Sequence, residues 1–316
     1  MTVLHRAMSA GASLVGGNRL SILIYHQVLP EPDPMRAGEP DARTFRWHMA
    51  LISRYFRPMS LDEAARQLRE GCLPPRAVAV TFDDGYLNNL EVAQPILAEF
   101  KVPATVFVAT AFSNGGNMWN DRIIDLLGNP GLSRISLDSL DLRARDLGDV
   151  DNRLSVAREL LPRLKYLDFR KREVAVDTLY QENNAPEAPR KMMSHQEVAK
   201  LQRLGVSIGA HTVNHPILRS LSPAEQRLEI EGSKRVLESV TGAAINSFAY
   251  PNGRRGDDYD DLSVQLVREA GFEQAVSTTW GVSTQATSNF ELRRSTPWDS
   301  NGLRFHLRML RNIVRP

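Results

Sequence analysis

Seven short apolar runs recur along the chain, separated by stretches with clear helix start and stop signals, and this alternation limits the possible folds more than any other feature. The runs lie at 21–25, 77–82, 104–109, 206–210, 245–250, 274–278 and 291–295. Between them, Ser60-x-x-Glu63 reads as a capping box whose helix Gly71 closes, and Ser194-x-x-Glu197 opens another that Gly205 ends. Ser222-Pro223-Ala224-Glu225 sets a cap, a first-turn proline and a third-position Glu in order, for a helix running to about Gly242. A further helix is predicted over 258–270, stopped by Gly271. This βαβα order predicts an α/β fold of parallel strands covered by helices. Seven strands favour a barrel over an open sheet, although periodicity alone fits both. The segment from about 114 to 193 breaks the rhythm, with helical stretches near 119–127, 152–164 and 169–183. It reads as a helical insertion in a single barrel domain spanning 1–316, and an excursion of this length is expected to form one wall of a cleft.

Composition narrows the chemistry. The 316 residues carry a net charge of only +2, which supplies no electrostatic drive toward nucleic acid or an anionic membrane. A single cysteine, Cys72, makes neither an internal disulfide nor a zinc–thiolate cluster, so any metal must use His and carboxylates. No stretch reaches the apolar length of a transmembrane helix. The first seventeen residues have two basic side chains and no continuous apolar run, so no signal peptide and a cytoplasmic location are expected.

Thr81-Phe82-Asp83-Asp84-Gly85 follows the run that starts at Ala77. Two adjacent carboxylates at a strand end repel unless a cation or shared proton relieves them, and strand C-termini are where barrel active sites lie. Taken alone, Asp-Asp-Gly is equally an ordinary turn. His211-Thr212-Val213-Asn214-His215 also follows an apolar run. If that segment turns helically, residues i and i+4 share a face and both imidazoles reach one ion. One Asp and two His complete the three-ligand set of a catalytic zinc site with an open position. Phe248-Ala249-Tyr250-Pro251-Asn252-Gly253 is good turn chemistry, and also a place for a backbone N–H to face a cleft. Tyr25-His26 ends the first run, where a buried structural histidine is the plain alternative.

These motifs, in this order, resemble the polysaccharide deacetylase family (carbohydrate esterase family 4, with the chitooligosaccharide deacetylase homology domain), over about residues 20–296. The resemblance implies a distorted seven-stranded (β/α) barrel with a helical insertion. It implies Asp83 as general base, and Asp84, His211 and His215 as holders of one divalent metal ion, expected to be zinc. It places oxyanion and substrate contacts at Tyr250, Pro251 and Asn252. Two departures stand out. Ala249 occupies the place of an Arg found in many relatives, so Arg293 or Arg294 on the last strand is expected to orient the base instead. No Leu-x-His follows near the C-terminus, where His306 falls in an expected surface helix. The N-terminal Tyr-His resembles the circularly permuted biofilm poly-N-acetylglucosamine deacetylases, which implies His26 as the acid.

The implied activity is metal-dependent removal of acetyl groups from N-acetylated sugars of an acetylated glycan. Two rivals differ from it. One is a hydrolase of the same fold acting on O-acetyl esters or cyclic amides. The other is a catalytically inactive glycan-binding module, against which stands the retained set Asp83, Asp84, His211 and His215. His5, His48 and His195 receive no role. Trp119, Trp280 and Trp298 have rings able to stack on sugars, but packing accounts for each equally well.

Overall fold

A computed structural model describes residues 17–114, 116–297, 299 and 301–314. Of the N-terminal stretch in which no signal peptide is expected, all but Gly17 lies outside these residues, as do His5 and Trp298. The chain divides into two compact units, one of Met1–Glu31, Gly38–Asn114 and Met193–Pro316, the other of Pro32–Ala37 and Gly115–Met192.

The first unit is the barrel. Its parallel strands are β1 (Arg19–Tyr25), β2 (Ala77–Phe82), β3 (Ala104–Val108), β4 (Ser207–Ala210), β5 (Ser247–Ala249), β6 (Gln274–Trp280) and β7 (Leu292–Arg294), hydrogen-bonded in that order. The sheet returns on itself where Leu23 bridges Ser295: the Ile24 N–H donates to the Ser295 carbonyl at 3.2 Å and the Ser295 N–H to the Ile22 carbonyl at 2.9 Å. Two short strands flank it, Arg57–Pro58 parallel to β2 and Ser283–Thr284 antiparallel to β1.

Side-chain alternation sorts the barrel into inside and outside. In β2 the larger Val78, Val80 and Phe82 pack outward with the helices, while Ala77 and Ala79 join an inner cluster with Ile22, Phe107, Ala249, Val276 and Leu292. Phe107 fills the middle of the barrel and leaves space only for glycine at 209, since a Cβ there would come within 2.4 Å of its ring. The helix Leu61–Glu70, α1 here, contributes Leu61, Ala64, Ala65 and Leu68 to the same inner cluster. Its Asp62 carboxylate accepts from Ser247 Oγ at 2.7 Å and from Gln274 Nε2, the first residues of β5 and β6. That helix therefore plugs the N-terminal end, leaving the C-terminal end for chemistry.

Several expectations shift at element boundaries. A helix over Ala42–Tyr55, capped by Asp41, was not expected. The helix expected over 258–270 begins only at Asp261, because the Asp258 carboxylate accepts the Arg254 N–H at 2.9 Å and holds a turn before the Asp260 cap. His306, expected on a surface helix, is fully buried, with its ring 4.9 Å from Tyr55 and 5.3 Å from Phe56. His48 is buried too, its Nδ1 sharing a hydrogen bond with the Tyr25 hydroxyl at 3.1 Å.

The second unit has its own core, built from Trp119, Ile123, Leu126, Leu160, Val176, Leu179 and others. Helices at Trp119–Gly128, Val150–Lys165 and Phe169–Glu182 match the three expected stretches to within two residues. An antiparallel hairpin, Arg134–Leu137 with Leu142–Asp146, adds to them. Arg36, from the separate segment Pro32–Ala37, pairs with Asp121 at 3.1 Å and Asp125 at 2.6 Å within this unit. No helix among the described residues is long and apolar enough to cross a membrane.

Candidate metal centre and catalytic site

Each candidate side chain emerges from a strand's C-terminal end. Asp83 and Asp84 follow β2, His211 follows β4, His26 follows β1, and Arg294 ends β7. Continuing the β2 alternation turns Thr81 and Asp83 toward the barrel axis. There Arg294, also inward and fully buried, forks Asp83: one guanidinium nitrogen donates to Oδ1 at 2.7 Å and the other to Oδ2 at 2.8 Å. The Arg294 Nε donates to the Ser277 carbonyl at 3.0 Å, which fixes the plane of the fork. Of the two arginines considered, Arg294 carries this contact. Arg293 alternates away from it and lies beside Gly281.

Asp84, His211 and His215 each offer one ligand atom, and these atoms lie within 4.8 Å of one another. Asp84 Oδ1 is 3.5 Å from Nε2 of each histidine. The same oxygen is buried with no hydrogen-bond partner. A buried orphan carboxylate oxygen is costly, and a cation between it and the two imidazoles removes that cost. The His211 Nδ1 lies 2.7 Å from the Ala249 carbonyl. That carbonyl can only accept, so Nδ1 carries a proton and Nε2 is the ring atom turned toward Asp84, the arrangement that usually supports a metal-bound histidine. The donor set, two nitrogens and one carboxylate oxygen without thiolate, suits zinc. These observations fit a divalent ion held by these three residues.

The loops reach this geometry through unusual backbone. Asp84, Thr212, His215 and Asn252 all have φ between +52° and +75°. For a β-branched residue such as Thr212 this is a real outlier, costing on the order of 1–3 kcal/mol. Local bonds hold it: the Thr212 carbonyl accepts from the Thr110 N–H at 3.2 Å, and its hydroxyl oxygen accepts from the His215 N–H at 3.1 Å. The i, i+4 pair thus meets on a bent loop rather than on a helical turn.

Electrostatics follow from these contacts. Burial alone would raise the Asp83 carboxyl; the Arg294 fork, with His211 and His26, more than reverses this and holds it below the usual range. Burial would likewise raise Asp84, but His211, His215 and His26 pull it well down. Burial pushes the His26 imidazole down, yet Asp84, Glu39 and Asp83 outweigh both burial and Arg294, so its net shift is upward. The His26 carbonyl accepts from Asn89 Nδ2 at 2.9 Å, which ties this end of β1 to the segment after Asp84.

Not every candidate joins the group. The Tyr250 ring is buried in the core, stacked on Tyr259 at 3.9 Å, and its N–H donates to the Val276 carbonyl at 3.3 Å, so it belongs to the scaffold. Pro251 is buried beside it and accepts the Gly253 N–H. Asn252 is half-buried, with its carbonyl held by Thr278 Oγ1 at 2.8 Å. Trp119 is buried in the second unit's core, whereas Trp280 is exposed at the end of β6.

One side chain had no part in the sequence reading. Glu229 is buried and accepts from the Val213 N–H at 2.9 Å, the Asn214 N–H at 2.8 Å and Asn214 Nδ2 at 2.6 Å. Its signal was present: it falls on the apolar stripe of its helix, with Ile230, Ser233 and Leu237, where a lone charge needs a partner.

A sequence model described as polysaccharide deacetylase matches residues 70–131 and 151–275, more than half of the chain. The chain belongs to the polysaccharide deacetylase family. Among curated relatives it is 20% identical over 278 residues to the putative polysaccharide deacetylase YxkH of Bacillus subtilis (strain 168), covering 87% of this chain and 70% of that one. Solved structures share the fold. The Streptococcus pyogenes deacetylase PplD, in complex with acetate, superposes with a TM-score of 0.63 at 20% identity, covering 92% of this chain and 98% of that one. IcaB from Ammonifex degensii gives 0.59 at 19% identity, with coverage of 93% and 98%. The deacetylase domain of BpsB from Bordetella bronchiseptica gives 0.56 at 19%, with coverage of 89% and 96%. Asp83, Asp84, His211 and His215 meet at the C-terminal end of this barrel.

Proposed function

We propose that this protein is a metal-dependent deacetylase that hydrolyses the acetamide of an N-acetylated sugar in a polysaccharide or glycan precursor. The observation that carries the reading is the orphan Oδ1 of Asp84 facing the Nε2 atoms of His211 and His215, with an Arg-oriented carboxylate beside it. A divalent ion on these three ligands supplies Lewis acidity, polarising an acetyl carbonyl and making a water easier to deprotonate. Asp83 is ionised at neutral pH and removes the proton from the attacking water. Its depressed pKa makes it a weak base, but Arg294 occupies only part of its four lone-pair sites and fixes the direction of the rest. The Asn252 N–H donates to the developing oxyanion. His26 protonates the departing amine, since amide nitrogen leaves poorly without a proton. Of the three carboxylates that raise the His26 pKa, Asp84, Glu39 and Asp83, Glu39 is not among the three ligands.

The deciding assay is acetate release from a panel of N- and O-acetylated saccharides, before and after chelation and zinc replacement. Release from N-acetyl substrates, abolished by chelation and restored by zinc, is expected. Full activity in verified metal-free protein overturns the metal requirement, and release from O-acetyl esters alone reassigns the substrate.

A further inference from the structure

We infer that Glu229 is a positioning residue for the metal ligands: its carboxylate sets the bend of residues 211–215 and so the separation of the two imidazoles. The inference rests on the metal reading above. Glu229 lies on the helix Pro223–Thr241, outside the strand-end motifs, and its carboxylate bonds Val213 and Asn214. Its reach is through the backbone. One oxygen, Oε2, accepts from two consecutive N–H groups, Val213 at 2.9 Å and Asn214 at 2.8 Å, while Oε1 accepts from the Asn214 side chain at 2.6 Å. Successive N–H groups converging on one anion form a nest, and here the anion comes from the protein itself.

The two tethered residues sit between Thr212 and His215, both in the left-handed region, at φ 64° and 52°. Such a loop is not at its local minimum, so it keeps its bend only while outside contacts hold it. Glu229 supplies three of them. A second contact comes from the same helix: Val213 lies against Gly232, where a Cβ would come within 3.0 Å of Val213 Cγ2. The loop is thus clamped onto one helix face at positions three residues apart. His211 is anchored separately, by β4 and by the Ala249 carbonyl. Losing the clamp therefore moves His215 relative to His211, which alters the ligand spacing without removing a ligand.

The test measures zinc affinity of purified protein by competition with a chromogenic chelator, and the visible spectrum of the cobalt-substituted form, alongside circular dichroism and a thermal midpoint. Glu229→Ala and the shorter Glu229→Asp should each weaken zinc about 10- to 100-fold, the usual scale for outer-sphere support, and should change the cobalt bands. Glu229→Gln should stay close to wild type, because its single carbonyl oxygen accepts both N–H groups and its amide meets a rotated Asn214. Folded Asp or Ala variants that bind zinc as tightly as wild type, with unchanged cobalt spectra, overturn the inference. So does a Gln variant as weak as the Asp variant, which would make charge rather than position the cause. If Glu229→Ala does not fold, the Asp and Gln pair decides alone. Wild-type protein that takes up no zinc would instead overturn the metal reading itself.

Discussion

Asp83 and Asp84 are neighbours in sequence with opposite surroundings, and the division of labour between them follows from that. Asp83 is satisfied by a guanidinium; Asp84 keeps a buried oxygen without a hydrogen bond. Replacing Asp83 with Asn should therefore leave zinc bound, measurable by metal analysis, while lowering turnover on the order of 100-fold or more. Loss of the metal from that variant would reverse the two assignments. His26 is separable by leaving group. His26→Ala should lose most activity on an N-acetyl sugar and much less on an ester of an acidic phenol, which departs without protonation. Equal losses on both substrates would give His26 a binding or structural part instead. Residue identity alone singled out Asp83, Asp84 and His26 as candidates, but the choice between Arg293 and Arg294 was beyond it, since adjacent strand residues face opposite ways and only register decides which one enters the barrel.

At the scale of elements, the strand ends do the positioning. The inner positions are small or flat where Phe107 needs room, and this gives Gly209 its requirement. Gly209→Ala adds a Cβ that would lie within 2.4 Å of the Phe107 ring and 3.1 Å of the Ser247 carbonyl. It should destabilise the protein by about 1–3 kcal/mol, the usual cost of overpacking, read as a lowered urea midpoint. An unchanged midpoint would show that Phe107 has room to move. Capping boxes and glycine stops located the helices Leu61–Glu70, His195–Arg203, Pro223–Thr241 and Asp261–Glu269 from sequence because those signals are local. The Ala42–Tyr55 helix lacked a box, having only the single Asp41 oxygen accepting from Thr44 at 2.7 Å. The hairpin at 134–146 was invisible for a different reason: its strands have only four and five residues, too few for an alternation to stand out from chance.

For the whole molecule, the division into two units predicts that the proposed metal binding is separable from the stability of the second core. Every candidate ligand belongs to the barrel unit, as do Arg294 beside Asp83, Ala249 beside His211 and Glu229 under the 213–214 backbone, whereas Leu160 is fully buried in the other core. Leu160→Ala should cost about 2–5 kcal/mol of stability as a cavity in that core, seen as a lower thermal midpoint. The zinc affinity of the folded variant should remain that of wild type, and a parallel loss of affinity would argue against this independence.

What the sequence determined by itself was the alternation of strands and helices, the break near 114–193, and the two motifs that carry three candidate ligands and a further carboxylate. Those signals are local: periodicity, caps and short spacings survive in a string of letters. The tertiary structure decided the rest. It closed the sheet through Leu23 and Ser295, brought Arg294 to Asp83 across more than two hundred residues, removed Tyr250 to the core, and placed Glu229 under the histidine loop. Each of these depends on which strands pair, on register and on side-chain direction. Such properties arise only when distant segments share one packed interior, where a buried charge must find its partner whatever the sequence distance.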